Sequence, residues 1–169
     1  MKKPSRLTRN GTVRAASRES RRGRDTPPSA GAAVTTTALG SAAAAHELPE
    51  TLLLAVARGE SDFKPDAKSK ANAIGLMQIL WPDTARHLGL NRMAEVLDPC
   101  TNVDAGARYL KELLKRYDGN LHRSLAAYNY GPARIPVSGG RLPDGAVWYS
   151  GYILRHLDYV LNGSRKASG

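Results

Sequence analysis

Apolar residues recur along most of the chain with a helical period. Leu53, Val56, Ala57 and Glu60 fall at i, i+3, i+4 and i+7, so a helix with three apolar side chains on one stripe also carries a carboxylate there. Pro49 suits its first turn, and Asp62-Phe63-Lys64-Pro65 stops it. Pro82 and Gly89 bracket a short helix. Asp98-Pro99 opens a longer one, whose face of Val103, Gly106, Ala107, Leu110, Leu113, Leu114 and Tyr117 runs to an end near Gly119. Asn120 caps the next, with Leu121, Leu125 and Tyr128 on the buried stripe and Gly131-Pro132 as the stop. A last helix is expected over 147–161, with Ile153, Leu157, Val160 and Leu161 inward. Helical periods, short connections and no alternating strand pattern predict an all-α or mainly α single domain.

Glu60 is out of place on its stripe. Desolvating a carboxylate is costly unless it is paired or protonated. The partial negative charge of a helix C-terminus disfavours the anion, and so does an apolar pocket. Both raise its pKa, and a carboxyl kept protonated near neutral pH is what a general acid for glycosidic cleavage requires. A glutamate that swings out to solvent at a frayed helix end fits the same spacing. Cleavage by two carboxylates would need a partner across the bond. Asp62 is two residues from Glu60 and so on another helix face, while Asp66 lies beyond Pro65 in a loop. Spacing forces neither into the site.

The segment that follows, 66–79, is rich in small residues and carries one glycine, a composition that lets backbone run close to a ligand. Glu60-Ser61, then Ser69, then Gly75-Leu76-Met77-Gln78, and later Ala127-Tyr128-Asn129-Tyr130-Gly131-Pro132, resemble in order and approximate spacing the catalytic region of the lytic transglycosylases of the soluble type. The resemblance covers residues 46–161. It implies a lysozyme-like fold with a groove for a peptidoglycan glycan strand, a monomer, no cofactor and no metal. It also implies non-hydrolytic cleavage between N-acetylmuramic acid and N-acetylglucosamine, with Glu60 as the only acid/base and a 1,6-anhydro product. Ser69 and Gln78 would hold Glu60 or the substrate acetamido group, and Tyr128 would orient the carboxyl. Asn129 would meet the sugar, the Gly75-Leu76-Met77 backbone would line the groove, and Tyr152 would add a further substrate contact.

The chain departs from the family pattern twice. Leu80-Trp81 includes one extra residue, and Trp81 suits either sugar stacking or core packing. Trp148 stands where the family commonly has an acid. Two other readings stay open: a hydrolytic muramidase or chitinase that activates water with Asp66, and a non-catalytic peptidoglycan-binding module.

Charge divides the chain. The formal net charge is +10, and residues 1–45 hold nine Lys/Arg against two acids. Lacking apolar periodicity, 1–45 is expected to be disordered or removed. Its basic start and the small-residue run Ser41-Ala42-Ala43-Ala44-Ala45 suit an export signal, and hence the periplasm or cell envelope. Ser20-Arg21-Arg22 resembles a twin-arginine signal without the usual apolar residue after it; the alternative to export is a basic, Ala-rich linker or a misassigned start codon. The segment has no aromatic residue to stack on bases and no nucleic-acid motif follows, so specific nucleic-acid binding is not expected. Cys100 is the only cysteine, no run reaches the ~20 apolar residues of a membrane helix, and no two histidines have ligand spacing. Residues 162–169 read as a polar, flexible end.

Overall fold

Helix α5 (Pro99–Arg116) is the post on which α1 (Ala30–Ala45), α4 (Met93–Leu97), α6 (Leu121–Tyr130) and the short β-hairpin pack. Its start is fixed by Asp98, whose side chain accepts from the Thr101 amide at 2.8 Å, and by Pro99 in the first turn. Val103, Ala105, Gly106, Ala107, Leu110 and Leu113 are buried along it, close to the face expected from the apolar period. The computed structural model describes residues 30–167, with side chains over 31–163.

In chain order the elements are α1 (Ala30–Ala45), α2 (Glu50–Ser61), β1 (Ala73–Ile74), β2 (Ile79–Leu80), α3 (Asp83–His87), α4 (Met93–Leu97), α5, α6 (Leu121–Tyr130), a 3₁₀ turn (Pro132–Arg134) and α7 (Asp144–Ala167). Helices α1, α4 and α6 pack on α5, and α7 packs on α2 and α6. The fold is mainly helical, as the apolar periods predict. The strands form one antiparallel pair, Ala73 opposite Leu80 and Ile74 opposite Ile79, which the sequence did not announce because two residues are too few for an alternation signal. Among the described residues no helix is long and apolar enough to cross a membrane.

Two boundaries need correction. Residues 30–45 do not stand outside the core. They form α1, which buries Leu39 completely and Ala38, Ala42 and Ala43 nearly so against α5 and α2. Alanine is the best helix former, and a face of small side chains lets a helix lie close to its neighbours, so burial here needs no repeat of large apolar residues. The expected end at 161 is also short, since α7 continues to Ala167. The basic residues before position 30, the Arg21-Arg22 pair included, lie outside the described residues.

Two glycines bring the site-bearing elements together. A Cβ on Gly59 would run into Ile153, so this glycine in α2 admits α7 at close range rather than merely loosening a helix end. A Cβ on Gly106 would lie 2.5 Å from that of Met77, which seats the loop after β1 on α5.

Candidate active site

Glu60 occupies the last turn of α2, one residue before its end, where Asp62 turns the chain with φ 52°. It lines a cleft of about 420 Å³, together with residues of the 69–80 loop and hairpin, α5, the end of α6 and the 3₁₀ turn. Burial raises its carboxyl from 4.5 to about 7, and a hydrogen bond from Tyr149 partly opposes that rise. Tyr149 projects from α7 and its hydroxyl donates to Oε1 of Glu60. Burial first, then the charge of Glu60, push the Tyr149 hydroxyl well above 10, so it stays a donor at any working pH.

The loop that carries Gly75-Leu76-Met77-Gln78 is held from behind by Asn102 of α5. The Asn102 carbonyl accepts from the Met77 amide at 2.8 Å, and its amide donates to the carbonyls of Ile74 (2.9 Å) and Val96 (2.8 Å). Gly75 passes directly over this side chain with φ +79°, and a Cβ there would collide with Asn102. Ser61 adds a bond to the Leu76 carbonyl at 2.9 Å. Asn102→Ala should remove three buried bonds and leave the Met77 amide unpaired, a loss of roughly 3 kcal/mol. Chemical denaturation against the wild type measures it; a change within about 0.5 kcal/mol would mean that water replaces the side chain.

The residues expected at the site divide by what their side chains do. Glu60, Ser69, Gln78, Tyr128 and Asn129 all line the cleft. Tyr128 does not orient the carboxyl: its hydroxyl donates to the Met77 carbonyl at 2.8 Å, and Tyr149 occupies the place at Glu60. Gln78 does not hold Glu60 either, because its amide donates to the carbonyls of Ala67 (3.1 Å) and Gly75 (2.9 Å), tying the loop to itself. Ser69 accepts from the Ala73 amide at 3.0 Å and keeps its hydroxyl proton for the cleft. Leu76 and Met77 are fully buried and, with Gly75, form the layer behind the cleft rather than its wall. Tyr152 points elsewhere: its ring stacks on Trp148 and lines a separate hollow with Arg58, Arg155, His156 and Tyr159. Leu80 lines the cleft, whereas Trp81 is partly buried against the core.

The structure adds four residues that the sequence did not single out: Tyr149 and Asn102 by their hydrogen bonds, and Tyr109 and Arg134 as lining of the cleft. Tyr149 directly follows Trp148 in the chain, and Tyr109 lines the cleft with its ring 5.4 Å from that of Tyr128. Asn102 was legible only as a polar residue in an otherwise buried part of α5. Asp62 pairs with Arg58 at 3.0 Å on the surface, and neither it nor Asp66 lines the cleft. Glu60 is therefore the single carboxylate among the cleft-lining described residues.

The sequence pattern described as the Transglycosylase SLT domain matches residues 38–141. The chain belongs to this family. Its match begins within α1, in keeping with the packing of Leu39. Similar SLT proteins include the soluble lytic murein transglycosylase of Escherichia coli (strain K12), 40% identical over 96 residues, which are 53% of this chain and 15% of that protein. A transglycosylase of Enterobacteria phage PRD1 is 38% identical over 93 residues, 55% of this chain and 33% of the relative. The chain thus spans a minor part of the relatives it matches. Among solved structures, the lytic transglycosylase Slt of Pseudomonas aeruginosa, crystallised as an inactive mutant, superposes with a TM-score of 0.65 at 27% identity, covering 76% of this chain and 24% of that one. The 70 kDa soluble lytic transglycosylase of Escherichia coli gives 0.64 at 30% identity, covering 73% and 23%. The SLT domain described here has their lysozyme-like fold.

Tyr149→Phe should raise the Glu60 pKa further, because the lost hydrogen bond favours the charged form. Turnover should fall about tenfold when the carboxylate form loses this donor, and the alkaline limb of the pH profile should move upward. A profile with an unmoved midpoint would show that Tyr149 only packs.

Proposed function

We propose that this SLT domain is a peptidoglycan lytic transglycosylase that cleaves the bond between N-acetylmuramic acid and N-acetylglucosamine without water. The supporting observation is a lone, buried carboxyl with a pKa near 7 at the wall of the cleft, with a tyrosine hydroxyl on one of its oxygens. Tyr149 occupies Oε1, so the transferable proton sits on Oε2. Glu60 gives that proton to the glycosidic oxygen as the bond to the muramoyl C1 breaks, and the acetamido oxygen of the same sugar closes on C1. The carboxylate formed then takes the proton of the muramoyl C6 hydroxyl, whose oxygen displaces the acetamido oxygen from C1 and completes the 1,6-anhydro ring. Glu60 ends protonated, as it began.

One carboxyl suffices for this sequence because the substrate supplies both nucleophiles. Hydrolysis by the usual two-carboxylate routes needs a second acid across the bond. Ser69 and Asn129 are the neutral polar groups that meet the sugar substituents. The substrate places the enzyme's work in the cell envelope, and we infer that α1 is retained there, since cleavage after Ala45 would strip Leu39 from the core. Mass spectrometry of muropeptides released from purified wall tests the reading. Anhydro products, one water lighter than hydrolysed ones, are expected, and products of hydrolysed mass would replace it with a muramidase.

A further inference from the structure

We propose that Arg134 reads a carboxylate on the glycan strand and so selects an acidic, muramoyl-bearing strand over a neutral one of equal length. The proposal rests on the reading of the cleft as a peptidoglycan site.

Only two cleft-lining residues carry a formal charge, Glu60 and Arg134. Glu60 works as a neutral acid, whereas a guanidinium is charged at every accessible pH. Arg134 is exposed, and its side chain has no hydrogen bond or ion pair among the described residues. Its backbone is held firmly. The Arg134 amide donates to the Gly131 carbonyl at 3.2 Å, Tyr117 donates to the carbonyls of Pro132 (3.3 Å) and Ile135 (3.1 Å), and Arg123 donates to those of Pro136 and Gly139 at 2.7 Å each. The fold thus fixes the base of a side chain that it does not otherwise use.

The Glu60 carboxyl is held by the Tyr149 hydroxyl and makes no hydrogen bond or ion pair with the guanidinium among the described residues. A partner for Arg134 therefore has to come with the substrate. N-Acetylglucosamine carries no charge, and a guanidinium gains from it only neutral hydrogen bonds. A muramoyl residue brings a lactyl carboxyl, free in a peptide-stripped strand and amide-linked in a substituted one, where the peptide supplies carboxylates of its own. Either presents the planar acceptor that a guanidinium fork pairs with bidentately.

The test uses the full chain carrying Glu60→Gln, so that ligands bind without being cleaved, and three saccharides of equal length. These are a chitooligosaccharide, a peptide-free glycan with free lactyl carboxylates, and the same glycan bearing peptides. Adding Arg134→Ala should weaken binding of an acidic ligand roughly tenfold and leave the chitooligosaccharide unchanged. Arg134→Lys should restore part of the loss, and added salt should shrink the difference. Loss on the peptide-free glycan identifies the lactyl carboxylate as the partner, and loss confined to the substituted glycan identifies the peptide. Equal loss on all three ligands, or none on either acidic one, would overturn the proposal. If the Glu60 enzyme releases nothing from wall while Arg134→Ala still separates acidic from neutral ligands, carboxylate reading stands and the lytic reading falls.

Discussion

Glu60→Gln should lower release of muropeptides by about a thousandfold or more while the protein stays folded, a loss at the upper end for a general acid that also acts as the base. The amide matches the carboxyl in shape and can still accept from the Tyr149 hydroxyl, but it has no proton to give. The same substitution should change the pH dependence of stability in a defined direction. In the wild type the folded carboxyl titrates near 7 against 4.5 for the ordinary group, so the native state binds the proton more tightly. That contribution is fully present below pH 4.5, declines between 4.5 and 7, and is gone above 7. Over this window the wild type should lose roughly 3 kcal/mol, at ~1.4 kcal/mol per tenfold change. The Gln variant has no group to titrate there and should overtake the wild type above neutrality. Denaturant melts at pH 5 and pH 8 measure this, and two parallel profiles would mean that Glu60 is solvated rather than buried. Residual cleavage within tenfold of wild type would move the acid elsewhere.

A chain that starts at His46 should lose a large part of its stability. Such a truncation removes the buried side chains of Leu39, Ala38, Ala42 and Ala43, and it bares the faces of α2 and α5 that they cover. Area arguments put the loss on the order of 5 kcal/mol, against a total of roughly 5–15 kcal/mol for a domain of this size. Cooperative thermal melting should vanish or shift down by more than about 10 °C. A truncated protein that melts and digests wall like the full chain would show α1 to be an accessory. Because the site residues follow position 46, such a result would also leave the export reading of the segment open.

The sequence by itself determined the helices whose ends it punctuates. Asp98-Pro99, Asn120 and Gly131-Pro132 fixed α5 and α6 because capping and termination are local events, decided by a residue and its neighbours within one turn. It also singled out Glu60, since a carboxylate on an apolar stripe is a contradiction visible at one period. Helix α1 was not legible, because a helix of small residues buries itself by proximity and shows no large-residue repeat. The partners of Glu60 were not legible either. Tyr149 lies 89 positions away along the chain, and it reaches the carboxyl only because Gly59 lets α7 lie close enough to α2. Tyr128, expected at the acid from its motif, holds the Met77 carbonyl instead, while Asn102 supports the same loop from a helix that reads as plain core. Local chemistry could single out the misplaced carboxyl, but which side chain meets it depends on the distance between helices, and only the tertiary packing sets that distance.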